Sequence, residues 1–320
     1  RSFITGNIGS GIMWDYYSAG KNDIAAIELS SFQLDGIVEF KSNIAVITNI
    51  TPDHIEWHGT LDKYIQSKLN IFKNQTHEDK CIINYDDKTL RQNEDHCKGD
   101  VFYFSTKTEN IKGIFIKDNK IYINLTSPEY LCDTSSVFMP GDHNMENALA
   151  ASLAAYLSGV ETKFIVETLK TFKGVEHRLE FVQEIEGIKF YNDSKGTNTD
   201  ATIKAIQSFQ QPINLILGGY EKGEDFSVLM KFLQTSVRSV SVMGQTKERI
   251  IKEMKAAGYT NYYVVDTLRE AVFNSVRHAR KGDVVLLSPA CASWDMYSNY
   301  MERGNEFKSI VKELGDGDGE

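Results

Sequence analysis

The chain has 320 residues, 41% hydrophobic and 25% charged, with a formal net charge of −9; this is the composition of a soluble globular protein long enough for two domains. The acidic balance argues against nucleic acid or an anionic membrane surface as the principal partner, while leaving room for a local basic pocket. Cys81, Cys97, Cys132 and Cys291 are irregularly spaced with no Cys-x-x-Cys pair, which points to reduced intracellular thiols, and no apolar run approaches the roughly 20 residues that cross a bilayer.

The chain begins at Arg1, in the run-up to a GNIG segment at 6–9, and reads as part of a longer protein. Residues 23–29 and 43–50 are apolar runs with polar ends, expected to be buried strands. Residues 61–72 carry the 3.6-residue spacing of an amphipathic helix, with Leu61, Tyr64, Ile65, Leu69 and Phe72 on the apolar face. Strands are expected at 81–84 and 101–104, and 114–125 alternates about Asp118-Asn119 as a hairpin does. Helices follow at 144–157 and 163–172. After Gly174 a hairpin about Glu186-Gly187 precedes strands at 214–217, 239–243, 262–265 and 284–287, with helices between them. Alternation of this kind implies parallel pairing with right-handed crossovers, hence an α/β fold with a doubly wound sheet whose ligands lie beyond the strands' carboxyl ends. Gly218-Gly219 and Ser288-Pro289 fall at such ends. The Gly/Asp-rich segment 314–320 is expected to fray, and there is no internal repeat.

Three polar clusters interrupt apolar runs: EHR at 176–178, DSKGTN at 193–198 and SPACASWD at 288–295. Packing alone does not call for them, and the second reads as part of an enzyme site. At the end of the first clear strand, Glu28 is a hard oxygen donor suited to Mg²⁺ with Ser30 and Ser31 beside it; a solvent-facing Glu with serines capping a helix is the plainer reading. His54 follows the next strand, as a ligand or as an ordinary loop histidine. Lys68 lies on the apolar face of the 61–72 helix, where it either snorkels or is desolvated and open to modification. Asn144 and Asn147, three apart on one helix, suit amide contacts to a nucleobase or phosphate, although a helix cap explains the first equally well. Lys222 follows the paired glycines and could grip an anion or simply be an exposed turn residue. No Gly-x-x-x-x-Gly-Lys-Ser/Thr loop, Gly-x-Ser-x-Gly elbow, zinc spacing or Gly-x-Gly-x-x-Gly occurs.

Read in order, GNIG, ELSSFQ (28–33), TPDH (51–54), SKLNIF (67–72), HNMENALAA (143–151), HRLE (177–180), NDSKGTN (192–198), LGGYEK (217–222) and LSPACASWD (287–295) resemble the Mur ligase family over nearly the whole chain. The resemblance implies a central ATPase domain, entered partway, at 1–174 and a Rossmann-like amino-acid-binding domain at 175–320. The family's UDP-binding domain and P-loop would precede Arg1, so this chain by itself is expected not to turn over ATP. In the family a carboxylate attacks the γ-phosphate of ATP, and an amine then displaces phosphate from the acyl phosphate to form an amide. The NDSKGTN and LSPACASWD segments favour the branch that adds D-glutamate to UDP-N-acetylmuramoyl-L-alanine for peptidoglycan, a cytoplasmic monomer.

By the same resemblance Glu28, His54 and a CO₂-derived carbamate on Lys68 hold Mg²⁺ or Mn²⁺. Asn144, Asn147, Arg178, Asp193 and Lys195 face the nucleotide, with Lys68, His54 and Arg178 counted as catalytic. Asn7 and Ser30 contact the UDP-muramoyl substrate. Thr197, Lys222, Ser293 and Tyr300 form the D-glutamate pocket, Tyr300 standing where the family usually has Phe. A folylpolyglutamate-type ligase of the same superfamily, and a non-catalytic amino-acid-binding module, are the alternatives.

Overall fold

Residues 1–7, 17–52, 54–139 and 141–317 are described by the computed structural model, and their strands form three sheets. Contacts group the chain into two units, Arg1–Ser136 with Glu146–Glu167 and Val137–Met145 with Thr168–Glu320.

In the first unit β1 (Ser2–Gly6) and β2 (Ile24–Glu28) pair in parallel, with Gly6 opposite Glu28. The expectation of a buried strand at 23–29 is not met: β2 is largely exposed, and Ile24 shows 47% of its surface. The main sheet runs in sequence order through β3 (Ile44–Ile47), β4 (Lys80–Asn84), β5 (Asp100–Ser105), β6 (Gly113–Lys117), β7 (Lys120–Asn124) and β8 (Pro128–Asp133). Its first four strands are parallel and its last two antiparallel. The hairpin between β6 and β7 turns on Asp118 and Asn119 at φ 49° and 58°, the two left-handed residues that a tight hairpin turn requires. Strand β8 escaped the pattern because it opens on Pro128, a residue tolerated where a strand begins at a sheet edge.

The unit's short helices are α1 (Ser31–Asp35), α2 (Ile55–His58), α3 (Leu61–Leu69), continued by a 3₁₀ turn through Phe72, and α4 (Lys88–Gln92). The division between units crosses α5 (Asp142–Leu157), and α6 (Thr162–Thr171) follows. Thr60 caps α3 by accepting from the Lys63 amide. Tyr64, Leu69 and Phe72 pack on Ala45, Ile47, Cys81 and Ile83 as the spacing predicts. Leu61, expected on that face, is 42% exposed, while Ser67 is buried.

The second unit is a six-stranded sheet in the order β13-β12-β11-β14-β10-β9. Its strands are β9 (Glu180–Ile185), β10 (Ile188–Asn192), β11 (Ile213–Leu217), β12 (Val237–Val242), β13 (Tyr262–Val264) and β14 (Val284–Leu287), all parallel except β9. Helices α7 (Thr199–Gln207), α8 (Ser227–Ser236), α9 (Lys247–Ala256), α10 (Leu268–His278) and α11 (Tyr300–Asp316) alternate with them.

The pleat sends successive residues to opposite faces. Leu215, Leu217 and Leu286 join one core with Ile206, Leu229 and Ile250, while Ile216, Val285 and Leu287 join another with Leu268, Val272 and Phe307. Both faces are therefore covered by helices, and the strands read as unbroken apolar runs. The carboxyl ends of β10, β14 and β11 lie side by side, with Asn192 paired to Leu287 and Leu287 to Ile216. The expected fraying from residue 314 is corrected: α11 continues through Asp316 and ends on left-handed Gly317, whose amide donates to the Glu313 carbonyl. Residues 318–320 lie outside the described residues.

Candidate functional site

Loops leaving β10, β11 and β14 build a polar surface in the second unit. Asp193, the first residue past β10, is 5% exposed. Its amide donates to the Leu287 carbonyl (2.7 Å), Oδ2 accepts from Ser288 Oγ (2.7 Å) and Oδ1 from the Leu179 amide (3.2 Å). Burial pushes its carboxyl up to about 6, against the pull of those two donors and of Arg178. A Cβ at Gly196 would fall 2.5 Å from Asp193 Oδ2 and 3.0 Å from Ser288 Oγ, so the loop closes this tightly only on glycine.

The segment 177–179 is fastened to the same loop. The Lys195 amide donates to the His177 carbonyl (3.0 Å), and His177 Nδ1 accepts from Asn192 Nδ2 (2.9 Å), which places a neutral imidazole's proton on Nε2. Burial first, then Lys308, lowers the His177 pKa. His177 and Leu179 hold φ of 64° and 43°, a strained backbone on either side of Arg178. Arg178 is thereby set beside Asp193 with its side chain exposed. The Tyr300 ring meets the His177 ring edge-on at 5.8 Å, and Lys195 Nζ lies 5.8 Å from the Tyr300 ring centroid.

Beyond β11, Tyr220 donates its amide to the Ala292 carbonyl (2.8 Å), and its ring meets Trp294 at 5.5 Å. Exposed Lys222 has its Nζ 5.7 Å from the Trp294 ring centroid. Glu224 accepts from the amide and hydroxyl of Thr199 (3.2 and 3.3 Å), bringing the Lys222 loop to the segment that carries half-buried Thr197. Ser293 is 1% exposed, and its Oγ has no hydrogen-bond partner among the described residues.

The first unit holds a second group. Asn7 donates its amide to the Glu28 carbonyl (2.8 Å) and its Nδ2 to Glu28 Oε1 (3.1 Å), a consequence of the β1–β2 register. Ser30 is the N-cap of α1: its Oγ accepts from the Gln33 amide (3.3 Å), and Gln33 Oε1 accepts from the Ser30 amide (2.8 Å). His54 sits in the left-handed region (φ 52°), with its ring 4.9 Å from that of Phe32. Lys68 is half-buried, its Nζ 5.2 Å from the Tyr64 ring centroid.

A hydrogen-bonded chain not evident in the sequence links the helices of this group. Ser67 Oγ donates to Asp35 Oδ1 (2.7 Å) and so accepts from His58 Nδ1 (3.3 Å), while His58 Nε2 meets Ser31 Oγ (3.0 Å). It ties α1 and α2 to the helix that carries Lys68. Of the asparagines on α5, Asn144 is buried and Asn147 exposed.

Thus Asp193, Lys195, Arg178 and Tyr300 are brought together, as are Lys222 and the Ser293 loop, and Asn7 and Glu28. Among the described residues no three His, Cys, Asp or Glu side chains gather to hold a metal ion, and no helix is long and apolar enough to cross a membrane. Arg303 went unnoticed in the sequence, although its position in an apolar helical stripe with Phe307, Ile310 and Val311 could have flagged it. A cavity of about 470 Å³ lined by Phe209, Pro212 and Arg238 lies at the opposite, amino-terminal edge of the strands.

Residues 14–155 match the Mur ligase middle domain and 177–291 the Mur ligase glutamate ligase domain. The UDP-N-acetylmuramoylalanine–D-glutamate ligase of Caldanaerobacter subterraneus subsp. tengcongensis is 47% identical over 316 residues, 98% of this chain and 70% of that protein. The ligase of the same name from Clostridioides difficile is 42% identical over 98% of this chain and 69% of its own length. Among solved structures, Thermotoga maritima MurF ligase in complex with ADP aligns with a TM-score of 0.65 at 16% identity, covering 98% of this chain and 74% of the other. Thermotoga maritima UDP-N-acetylmuramate-alanine ligase aligns with a TM-score of 0.63 at 18% identity, covering 91% of this chain and 64% of the other; likeness at this level speaks for the fold alone.

Proposed function

The chain belongs to the Mur ligase family, and on that premise we propose that it serves an ATP-dependent ligase joining D-glutamate to UDP-N-acetylmuramoyl-L-alanine in cytoplasmic peptidoglycan precursor synthesis, acting as a monomer. The donor carboxylate attacks the γ-phosphorus of ATP, giving an acyl phosphate and ADP. The D-glutamate amine then attacks the acyl carbon, phosphate leaves, and the amide forms.

The observation that carries the acceptor assignment is Ser293. A buried hydroxyl without a partner costs about 1–3 kcal/mol, and that cost is recovered when a ligand carboxylate accepts its proton. Lys222 supplies charge to one carboxylate of D-glutamate, Thr197 a hydroxyl, and Tyr300 an apolar wall beside Lys195. Asn144 and Asn147 contact the nucleotide. Lys195 and Arg178 hold the phosphoryl oxygens, Arg178 offsetting charge as it develops, and Asp193 orders the loop that presents them. Asn7 and Ser30 are assigned to the UDP-muramoyl substrate, which would have to compete with the α1 cap for the Ser30 hydroxyl.

Glu28 and His54 fit a divalent cation: Glu28 is a hard carboxylate already oriented through Oε1 by Asn7, and Phe32, four residues on, contacts the His54 imidazole. A carbamate on Lys68, formed when its neutral amine adds to CO₂ and releases a proton to solvent, would offer an anionic oxygen donor beside that pair. Glu28, His54 and that carbamate would hold Mg²⁺ or Mn²⁺, which would supply positive charge to the phosphoryl oxygens. The functional division is placed at 1–174 and 175–320.

The test is phosphate release by the gene-encoded protein with ATP, UDP-N-acetylmuramoyl-L-alanine and each candidate amino acid. D-glutamate should be the acceptor, and Ser293→Ala should raise its KM roughly 10-fold without destabilising the unliganded protein. An unchanged KM sinks the pocket assignment.

A further inference from the structure

Arg303 stands one turn into α11, in the stripe it shares with Phe307, Ile310 and Val311, and is 1% exposed. A guanidinium so deeply buried is costly unless its donors are used. Nε donates to Ser194 Oγ (2.9 Å), Nη2 to the carbonyls of Ser194 (2.9 Å) and Cys291 (3.0 Å), and Nη1 to the carbonyl of Ala292 (3.3 Å). Each of these acceptors is an uncharged oxygen. Burial lowers the guanidinium pKa to about 10, so Arg303 remains charged at neutral pH. Ser194 Oγ in turn donates a hydrogen bond to the Tyr300 carbonyl (2.8 Å). The loop after β11 closes on the same group: a Cβ at Gly219 would strike the Ala292 carbonyl and come within 3.2 Å of Arg303 Nη1.

Resting on the D-glutamate reading above, we propose that Arg303 is a positioning residue for the amino-acid acceptor: it clamps the loop after β10 to the loop after β14 and so fixes Thr197, Ser293 and Tyr300 relative to one another before the ligand arrives. Each clamped atom is next to or near an assigned contact. Ser194 precedes Thr197 by three residues, Ala292 immediately precedes Ser293, and the Ser194 hydroxyl holds the Tyr300 backbone. The planar fork of arginine reaches acceptors on two loops at once, whereas a lysine ammonium in the same place is a point donor that cannot span them. A pocket held in advance binds more tightly because less ordering remains to be done on binding.

The experiment compares wild type, Arg303→Lys, Arg303→Ala and Ser194→Ala by steady-state phosphate release, with thermal unfolding of each. Arg303→Lys should raise the KM for D-glutamate by about 10- to 100-fold, more than it changes kcat or the KM for ATP. Arg303→Ala should recover part of the lost affinity when guanidinium ion is added at millimolar concentration. Loss of melting temperature and active fraction with every KM unchanged overturns the proposal, because that is the signature of a structural residue only. Should the Arg303 variants not fold, Ser194→Ala decides. It removes the Nε acceptor and the tie to Tyr300, and its D-glutamate KM should rise by about 3- to 10-fold; no rise overturns the proposal. If wild type turns over only with another amino acid, the D-glutamate reading fails, and the same comparison with that amino acid still tests Arg303.

Discussion

Asp193→Asn should make the second unit more stable. The carboxyl is raised from 3.8 in the unfolded chain to about 6 in the fold, chiefly by burial. At about 1.4 kcal/mol per tenfold change in proton affinity, keeping it ionised at neutral pH costs roughly 3 kcal/mol. Asparagine removes that cost and still fits its neighbours. Its Oδ1 accepts from the Leu179 amide, and its Nδ2 donates to Ser288 Oγ, whose proton then goes to Thr202 Oγ1, 3.0 Å away. Allowing half for imperfect repacking, the gain is about 1.5–3 kcal/mol, or roughly 3–12 °C in melting temperature for a unit of this size. The sign sets the pH window. A carboxyl raised in the folded state adds stability below pH 3.8 that is lost as pH rises through about 6, so the variant's advantage should be small near pH 4 and reach a plateau above pH 6–7. Calorimetry and urea unfolding between pH 4.5 and 8 measure the difference. An equal advantage at pH 4.5 and 8, or a variant less stable than wild type at pH 7.5, would refute the reasoning.

Lys222→Ala should weaken D-glutamate by about 1.5–3 kcal/mol, a rise in KM of roughly 10- to 150-fold with the KM for ATP little changed; an unmoved D-glutamate KM would favour a different acceptor. Lys68→Ala should abolish most activity, and acetate or formate should restore part of it by replacing the lost anion; a folded variant that no short carboxylate rescues marks a purely structural lysine.

Local signals were the most legible. Both hairpins were marked by turn residues that tolerate positive φ, at Asp118-Asn119 and Glu186-Gly187, and the β-strands of the second unit by apolar runs that a doubly covered sheet demands. What depends on partners far along the chain was not. Periodicity located the 61–72 helix but could not tell that Ser67, needed by His58 and Asp35, would be buried in preference to Leu61. Exposure of β2 was equally hidden, because an apolar run does not report how many neighbours cover it. In the site, DSKGTN and SPACASWD stood out as polar interruptions, yet their roles came from resemblance to a family. The pattern test that singled out Lys68 would also have caught Arg303, but only the fold reveals acceptors more than a hundred residues away at Ser194.

The place of β14 bears on synthesis as well as on chemistry. It is the last strand to leave the ribosome among the described residues, yet it fills the slot between β10 and β11. Until it arrives, two inner strands present open hydrogen-bonding edges, the condition that favours mispairing in a nascent chain. Every register on which the pocket depends is a contact of long sequence separation, so this unit should close late and slowly. A ribosome stalled before residue 284 would expose a sheet in two pieces, and a chaperone that shields bare strand edges would find its client there.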